Sequence, residues 1–321
     1  DEAFFQGISR YLHQHEYKPV EHHDLRLALE AVTGRDLKRF FDQWFRSPGH
    51  PQLDVRQVYD STQQELKLIV QQQQDTTTKP IYRLPLTVDI HHANDSVTAH
   101  QVEVSKAVDT LQFRIAEPPQ LVNFDAEKVL LAEKTLNYTN EAWLYQFTHT
   151  ESYLNQYEAL SHLADELDAL GADKLKALIS EALNSPYRRI RQLGLRMVRD
   201  TTYHELAGVF SEKVRKLARN DGETRVRGAA YRTLQDAENP GQFVGLYKKG
   251  LSDSSFYVVR QALGALSDVN QKLALKASED LKQTQNDRLL LTVARLYASQ
   301  GQKDVNSFLQ NVLLQRADWR T

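Results

Sequence analysis

The 321-residue chain contains no cysteine, which excludes disulfides, thiolate metal sites and cysteine nucleophiles together. The compartment is unreadable from this, since oxidising and reducing environments both accept a cysteine-free chain. No uninterrupted apolar run approaches the ~20 residues a bilayer requires, and mean hydropathy is -0.56, so no membrane span is expected. Forty Lys and Arg against 42 Asp and Glu leave a formal charge of -2, too little for a global field that would draw in nucleic acid or anionic lipid. Gly-rich phosphate loops, a G-x-S-x-G elbow and C-x-x-C are also missing. What is present, 41% apolar and 26% charged residues, is the balance of a globular protein long enough for about two compact units.

The chain opens at Asp1 without a methionine, and Phe4, Phe5, Ile8, Tyr11 and Leu12 fall at helical spacing from the start, with no basic segment of a signal peptide before them. This start reads as a cut into a longer protein, entering partway through a helical domain. A second helix is expected from Asp24 as N-cap, with Leu25, Ala28, Leu29 and Val32 as its stripe and Gly34 to end it. Asp36 can cap a third, whose Leu37, Phe40, Phe41, Trp44 and Phe45 form an aromatic face needing a larger body to bury it. Pro48, Gly49 and Pro51 stop the helical pattern.

From Leu53 to about Tyr138 the period becomes 2, as in Leu66, Leu68, Val70 and in Tyr82, Leu84, Leu86, Val88, Ile90. About seven short strands in a small antiparallel sandwich are expected. The Gln71 to Gln74 run reads as a strand end. Beyond Asn140 the chain is helical and repetitive. Ile190-Arg191, Val226-Arg227 and Val259-Arg260 recur at offsets of 36 and 33 residues, each after a break such as Asn220-Asp221-Gly222. Leu289 to Leu296 is a weaker fourth copy. Such units bury a core only by stacking, which predicts an α-solenoid over 141–321. The repeat arginines are expected to bond acidic or capping groups at neighbouring inter-helix turns.

The richest titratable cluster is His13, His15, Glu16, Glu21, His22, His23 and Asp24. A zincin needs H-E-x-x-H on one helix, and after His15-Glu16 the second histidine is replaced by Pro19, so no metal site is expected. The inverted motif fails at Lys18. Glu279-Asp280 sits in a polar helix and reads as solvated. No catalytic residue is assigned in this chain.

Thr33-Gly34-Arg35-Asp36-Leu37, Phe40-Phe41-Asp42-Gln43-Trp44-Phe45 and Pro48-Gly49-His50-Pro51 resemble the end of the catalytic domain in the zinc aminopeptidase family of aminopeptidase N and leukotriene hydrolase, the gluzincins. Pro118-Pro119, Asn123-Phe124-Asp125 and Leu130-Leu131 look like the close of that family's β-sandwich. The resemblance implies a multidomain α+β chain: residues 1–46 as the C-terminal helices of a truncated catalytic domain, 52–138 as an antiparallel β-sandwich and 141–321 as a HEAT-like helical repeat domain. It implies a metalloprotease parent, a hydrolase with zinc, of which this chain is the non-catalytic part that shapes the substrate chamber and admits peptides. No cofactor belongs to this chain, since the family's H-E-x-x-H, G-x-M-E-N loop and catalytic tyrosine all precede the matched region, and the only methionine, Met197, lies in a repeat helix. The partners implied are the N-terminal catalytic domain of the same protein and a peptide substrate, with no nucleic acid and no membrane span. The alternative is a protein-interaction scaffold that kept the architecture and lost the zinc.

Residues 188–232 carry twelve Lys and Arg against five Asp and Glu, in a chain of net charge -2. Arg188, Arg189 and Arg196 lie outside the repeat signature and are the candidate substrate-binding residues, suited to gripping the C-terminal carboxylate of a peptide whose amino end sits at the metal.

Overall fold

The computed structural model of the chain describes residues 2–201, 204–299 and 308–310. It is a mixed α+β structure in two compact units, Asp1–Ala142 and Trp143–Thr321.

The first unit opens with helices α1 (Glu2–Gln14) and α2 (His22–Thr33). They approach closely because Gly7 has no side chain: a Cβ there would lie 2.4 Å from Leu29 Cδ2. Asp24, expected as the N-cap of α2, is its third residue instead. Glu21 is the cap, and its N–H donates to the Asp24 carboxylate at 2.9 Å within a reciprocal capping box. Gly34 ends the helix at φ 66, a left-handed conformation that a side chain would disfavour. Asp36 accepts the Lys38 N–H at 2.8 Å ahead of α3 (Lys38–Phe41). Residues Asp42–Arg46 continue α3 as a wider π-helical turn, closed by the Ser47 N–H donating to Asp42 O at 3.0 Å.

Seven strands follow: β1 (Gln52–Asp60), β2 (Glu65–Gln72), β3 (Leu84–His91), β4 (Val97–Val104), β5 (Val108–Arg114), β6 (Leu121–Phe124) and β7 (Glu133–Leu136). They form a four-stranded sheet in the order β5-β2-β1-β7 and a three-stranded sheet in the order β4-β3-β6. Leu66, Leu68 and Val70 on β2, and Leu84, Leu86, Val88 and Ile90 on β3, are buried as their alternation predicts. The expectation of antiparallel pairing fails at one edge, where β1 and β7 run parallel with Leu53 opposite Lys134. The chain passes through the second sheet at β6 before returning, so β7 arrives by a crossover and not a hairpin.

The glutamine run is more than a strand end. Gln72 and Gln74 are buried. Gln72 Nε2 donates to Tyr82 O at 2.7 Å while its Oε1 accepts the Tyr82 N–H at 2.9 Å and Gln74 Nε2 at 2.9 Å. The two amides thereby satisfy the buried backbone of the strandless segment before β3.

The second unit is helical, from the greater part of α4 (Asn140–His149) through α5 (Tyr153–Leu163), α6 (Ala172–Asn184), α7 (Arg188–Asp200), α8 (His204–Asn220), α9 (Thr224–Gln235), α10 (Val244–Gly250), α11 (Phe256–Val269), α12 (Gln271–Ser278) and α13 (Asp287–Ala298). Neighbours in sequence pack in pairs, α6 on α7, α8 on α9 and α10 on α11, while α7, α9, α11 and α13 contact one another in succession. Ile190, Val226 and Val259, the β-branched positions of the repeat, are all in the core.

Candidate functional site

The arginine-rich stretch is organised by α7, α8 and α9. Arg191 and Arg227 occupy equivalent places near the starts of α7 and α9, and each reaches forward to the turn before the next helix of its layer. Arg191 Nε and Nη2 bond Asp221 at 2.8 and 2.9 Å, and Arg227 Nε and Nη2 bond Asp253 at 2.9 and 2.8 Å. Both arginines also bind their own preceding turn, Arg191 through Ser185 O and Pro186 O, Arg227 through Asp221 O. The third expected rung differs: the Arg260 guanidinium lies 5.5 Å from the Tyr257 ring centroid, and that of Arg225 lies 4.7 Å from it. Gly228 makes room for this ring, since a Cβ there would sit 2.2 Å from Tyr257 Cε1.

Arg188 and Arg189 sit exposed in the first turn of α7. Arg188 Nη1 is 3.7 Å from Glu223, a loose pair. Arg189 has no ion pair among the described residues. Arg196, seven residues on and thus on nearly the same face as Arg189 about 10 Å along the axis, is held by Asp165, by Ala164 O at 3.1 Å and by Asp200 at 3.5 Å. The repeat alignment that equates Arg191 with Arg227 also equates Arg189 with Arg225 and Arg196 with Arg232. Both α9 arginines are exposed. That equivalence was readable from the offset of 36. The two-cation flank of Tyr257 was not, because Tyr257 lies outside the signature.

Arg189 and Arg225 lie at the N-terminal ends of α7 and α9, where no acidic residue occupies the first turn and the helix dipoles add positive potential. At the opposite ends Asp200, Asp236 and Glu238 are exposed. On α8, burial pulls the Lys213 ammonium below its usual range, and the neighbouring Lys216 and Arg191 charges add to this. Lys213 donates to Asn184 Oδ1. The same N-terminal ends also carry Asp221, taken by Arg191, and Glu223, the N-cap of α9, loosely paired with Arg188, which leaves Arg189 and Arg225 as the cations without a carboxylate partner there among the described residues.

A zinc-ligating set is a separate question. Among the described residues, no group of three or more His, Cys, Asp or Glu could hold a metal ion. His13 Nδ1 lies 2.7 Å from Ser9 O, within its own helix, and His23 lies 3.4 Å from Glu21 and 3.5 Å from Asp24. Glu279, of the carboxylate pair, accepts from the Tyr297 hydroxyl at 2.5 Å and from Lys282 at 2.8 Å, which together hold its carboxyl below the usual range, the Lys282 bond foremost.

No family model matches the sequence. Aminopeptidase N of Lactococcus lactis subsp. lactis is 28% identical over 109 residues, 32% of this chain and 12% of that protein. Tricorn protease-interacting factor F2 of Thermoplasma acidophilum is 43% identical over 54 residues, 17% of this chain and 7% of that protein. The chain is an aminopeptidase-related region, resembling the C-terminal part of the aminopeptidase N family. Subunit 2 of the transcription initiation factor TFIID of Drosophila melanogaster is 23% identical over 166 residues, 42% of this aminopeptidase-related chain and 13% of that protein. The crystal structure of Legionella pneumophila aminopeptidase A in complex with aspartic acid shares the fold over 97% of the chain with a TM-score of 0.67 at 13% identity. The chain spans 44% of that structure's length.

Proposed function

We propose that the chain is the non-catalytic C-terminal region of a zinc-dependent aminopeptidase. The observation that carries this reading is the likeness of fold along 97% of the chain to an aminopeptidase more than twice as long. On this reading residues 1–46 close the catalytic domain, 52–138 form a β-sandwich and 141–321 form a HEAT-like repeat domain. Peptide enters beside that domain, and the zinc and the attacking water belong to the part of the protein ahead of it. The partners are accordingly the N-terminal catalytic domain and the peptide substrate.

Arg189 is the residue best suited to meet the substrate's C-terminal carboxylate, being exposed and without an ion pair among the described residues, with Arg188 beside it. Arg196 serves the same site less directly, since Asp165 and Asp200 already neutralise it. In the full-length protein, Arg189→Ala is expected to raise KM for peptides with a free C-terminus about tenfold, and much less for amidated ones, consistent with a charge-assisted hydrogen bond. The full-length protein is expected to hydrolyse aminoacyl substrates and residues 1–321 alone are not; hydrolysis by the 321-residue chain, or none by the full-length protein, overturns the reading. The relative in the transcription factor complex supports a second reading, a scaffold with this architecture and no zinc, which predicts no hydrolysis from either.

A further inference from the structure

The first unit contains an apolar groove of about 710 Å³ walled by Phe40, Trp44, Phe45, Leu84, Pro85 and the segment Val129–Leu131. It is built rigidly. The π-helical turn carries Trp44 to 5.4 Å from Tyr82, and Gln43 clamps the helix to the chain entering β3, its Nε2 donating to Arg83 O at 3.2 Å and its Oε1 accepting the Arg83 N–H at 2.8 Å. The opposite lip is fixed by Asp125, a fully buried carboxylate that accepts the Val129 and Leu130 N–H groups at 2.9 and 3.3 Å and Lys134 Nζ at 2.8 Å. These bonds hold Leu131 outward with 73% of its surface exposed. Exposed apolar surface concentrated on a polar-tethered, preformed frame marks an interaction face.

We propose that this groove is the docking surface for the domain that the proposed function places ahead of residue 1, and the inference rests on that reading. Three observations select this occupant. The helix and π turn forming one wall belong to the segment that the reading assigns to the close of the catalytic domain. The same unit leaves Phe4, Phe5 and Leu12 of α1 exposed, so apolar surface awaiting cover also lies at the chain's N-terminal side. The aminopeptidase of like fold has 56% of its length outside the match, the remainder of the 44% covered. Two of the three rim charges pair, Arg83 with Glu103 at 2.5 Å, leaving Arg39 as the one further cation of a lining that is otherwise mostly apolar, which favours an apolar partner surface over a charged ligand.

The 321-residue chain has no cysteine, which permits a direct test with Leu131→Cys or Val97→Cys as its single thiol, any cysteine ahead of residue 1 in the full-length protein being replaced by serine first. In the 321-residue chain Leu131 is 73% and Val97 50% exposed, so Leu131→Cys should be alkylated at least as fast as Val97→Cys. In the full-length protein Leu131→Cys should react at least about tenfold more slowly than Val97→Cys, as a thiol under a docked domain does. Equal rates there overturn the proposal. Protection in the 321-residue chain that grows with its concentration assigns the groove to a second copy and also overturns it. Hydrolysis by the same full-length preparation reads the proposed function separately: activity without protection removes the docking surface alone, and protection without activity retains it.

Discussion

Arg227 and Asp253 meet through two parallel hydrogen bonds of 2.9 and 2.8 Å although 26 residues separate them in sequence. Both side chains are largely buried, at 12% and 16% exposure. A fork of this kind fixes the spacing of α9 and α11 in direction as well as distance. Arg191 and Asp221 repeat it one step earlier.

Removing one partner of the first pair leaves the other buried and unpaired. Arg227→Ala is expected to lower unfolding stability by about 3 kcal/mol, visible as a shift of the urea midpoint. The double variant with Asp253→Ala should cost less than the sum of the two single changes, and strict additivity would show that the pair is not coupled.

The same pair makes stability depend on pH. Burial alone would raise the Asp253 carboxyl, but the Arg227 hydrogen bond, the Ser255 N–H and the Arg227 charge outweigh it and leave the group below its usual range. A carboxyl depressed in the folded state contributes stability that is present above its unfolded pKa of roughly 4 and is lost as pH falls through the lower folded value. Wild type should therefore exceed Asp253→Asn in stability at pH 7, and the gap should narrow by pH 3. A constant gap across that range would assign the effect to shape.

Gly228→Ala should place a methyl group in the Tyr257 ring and destabilise the chain by about 1–3 kcal/mol. Pairing it with Tyr257→Ala should recover part of that loss in thermal melting, because the obstructing ring is gone. No recovery would mean that the helix backbone itself requires the glycine.

Gln72→Ala removes the side chain that satisfies both backbone groups of Tyr82, and should cost about 1–3 kcal/mol. Gln71→Ala, at an exposed position, should change the melting temperature little. Equal effects would show that the run acts through composition and not through these bonds.

Part of this architecture is legible in the sequence. Leu66, Leu68 and Val70, or Ile190, Val226 and Val259, declare themselves because burial imposes a period. The arginine ladder was legible as a spacing, but its direction was not: Arg191 pairs with Asp221, 30 residues on, and only helix packing brings them together. Asp24 looked like a cap because Asp suits that role, yet Glu21 stands three residues earlier and Asp24 suits the reciprocal position equally well. Arg196 looked free because its partner Asp165 belongs to another segment. The groove was invisible, since Trp44 and Leu131 are 87 residues apart and neither breaks a local rule.

The central claim, that this is the zinc-free C-terminal region of a zinc aminopeptidase, is tested most directly by elemental analysis of residues 1–321 beside the full-length protein, both dialysed against the same zinc-containing buffer. The account predicts zinc well below stoichiometric in the 321-residue chain and about one tightly held zinc per full-length chain, as one catalytic site requires. One tightly held zinc in the 321-residue chain, or none in the full-length protein, would contradict it.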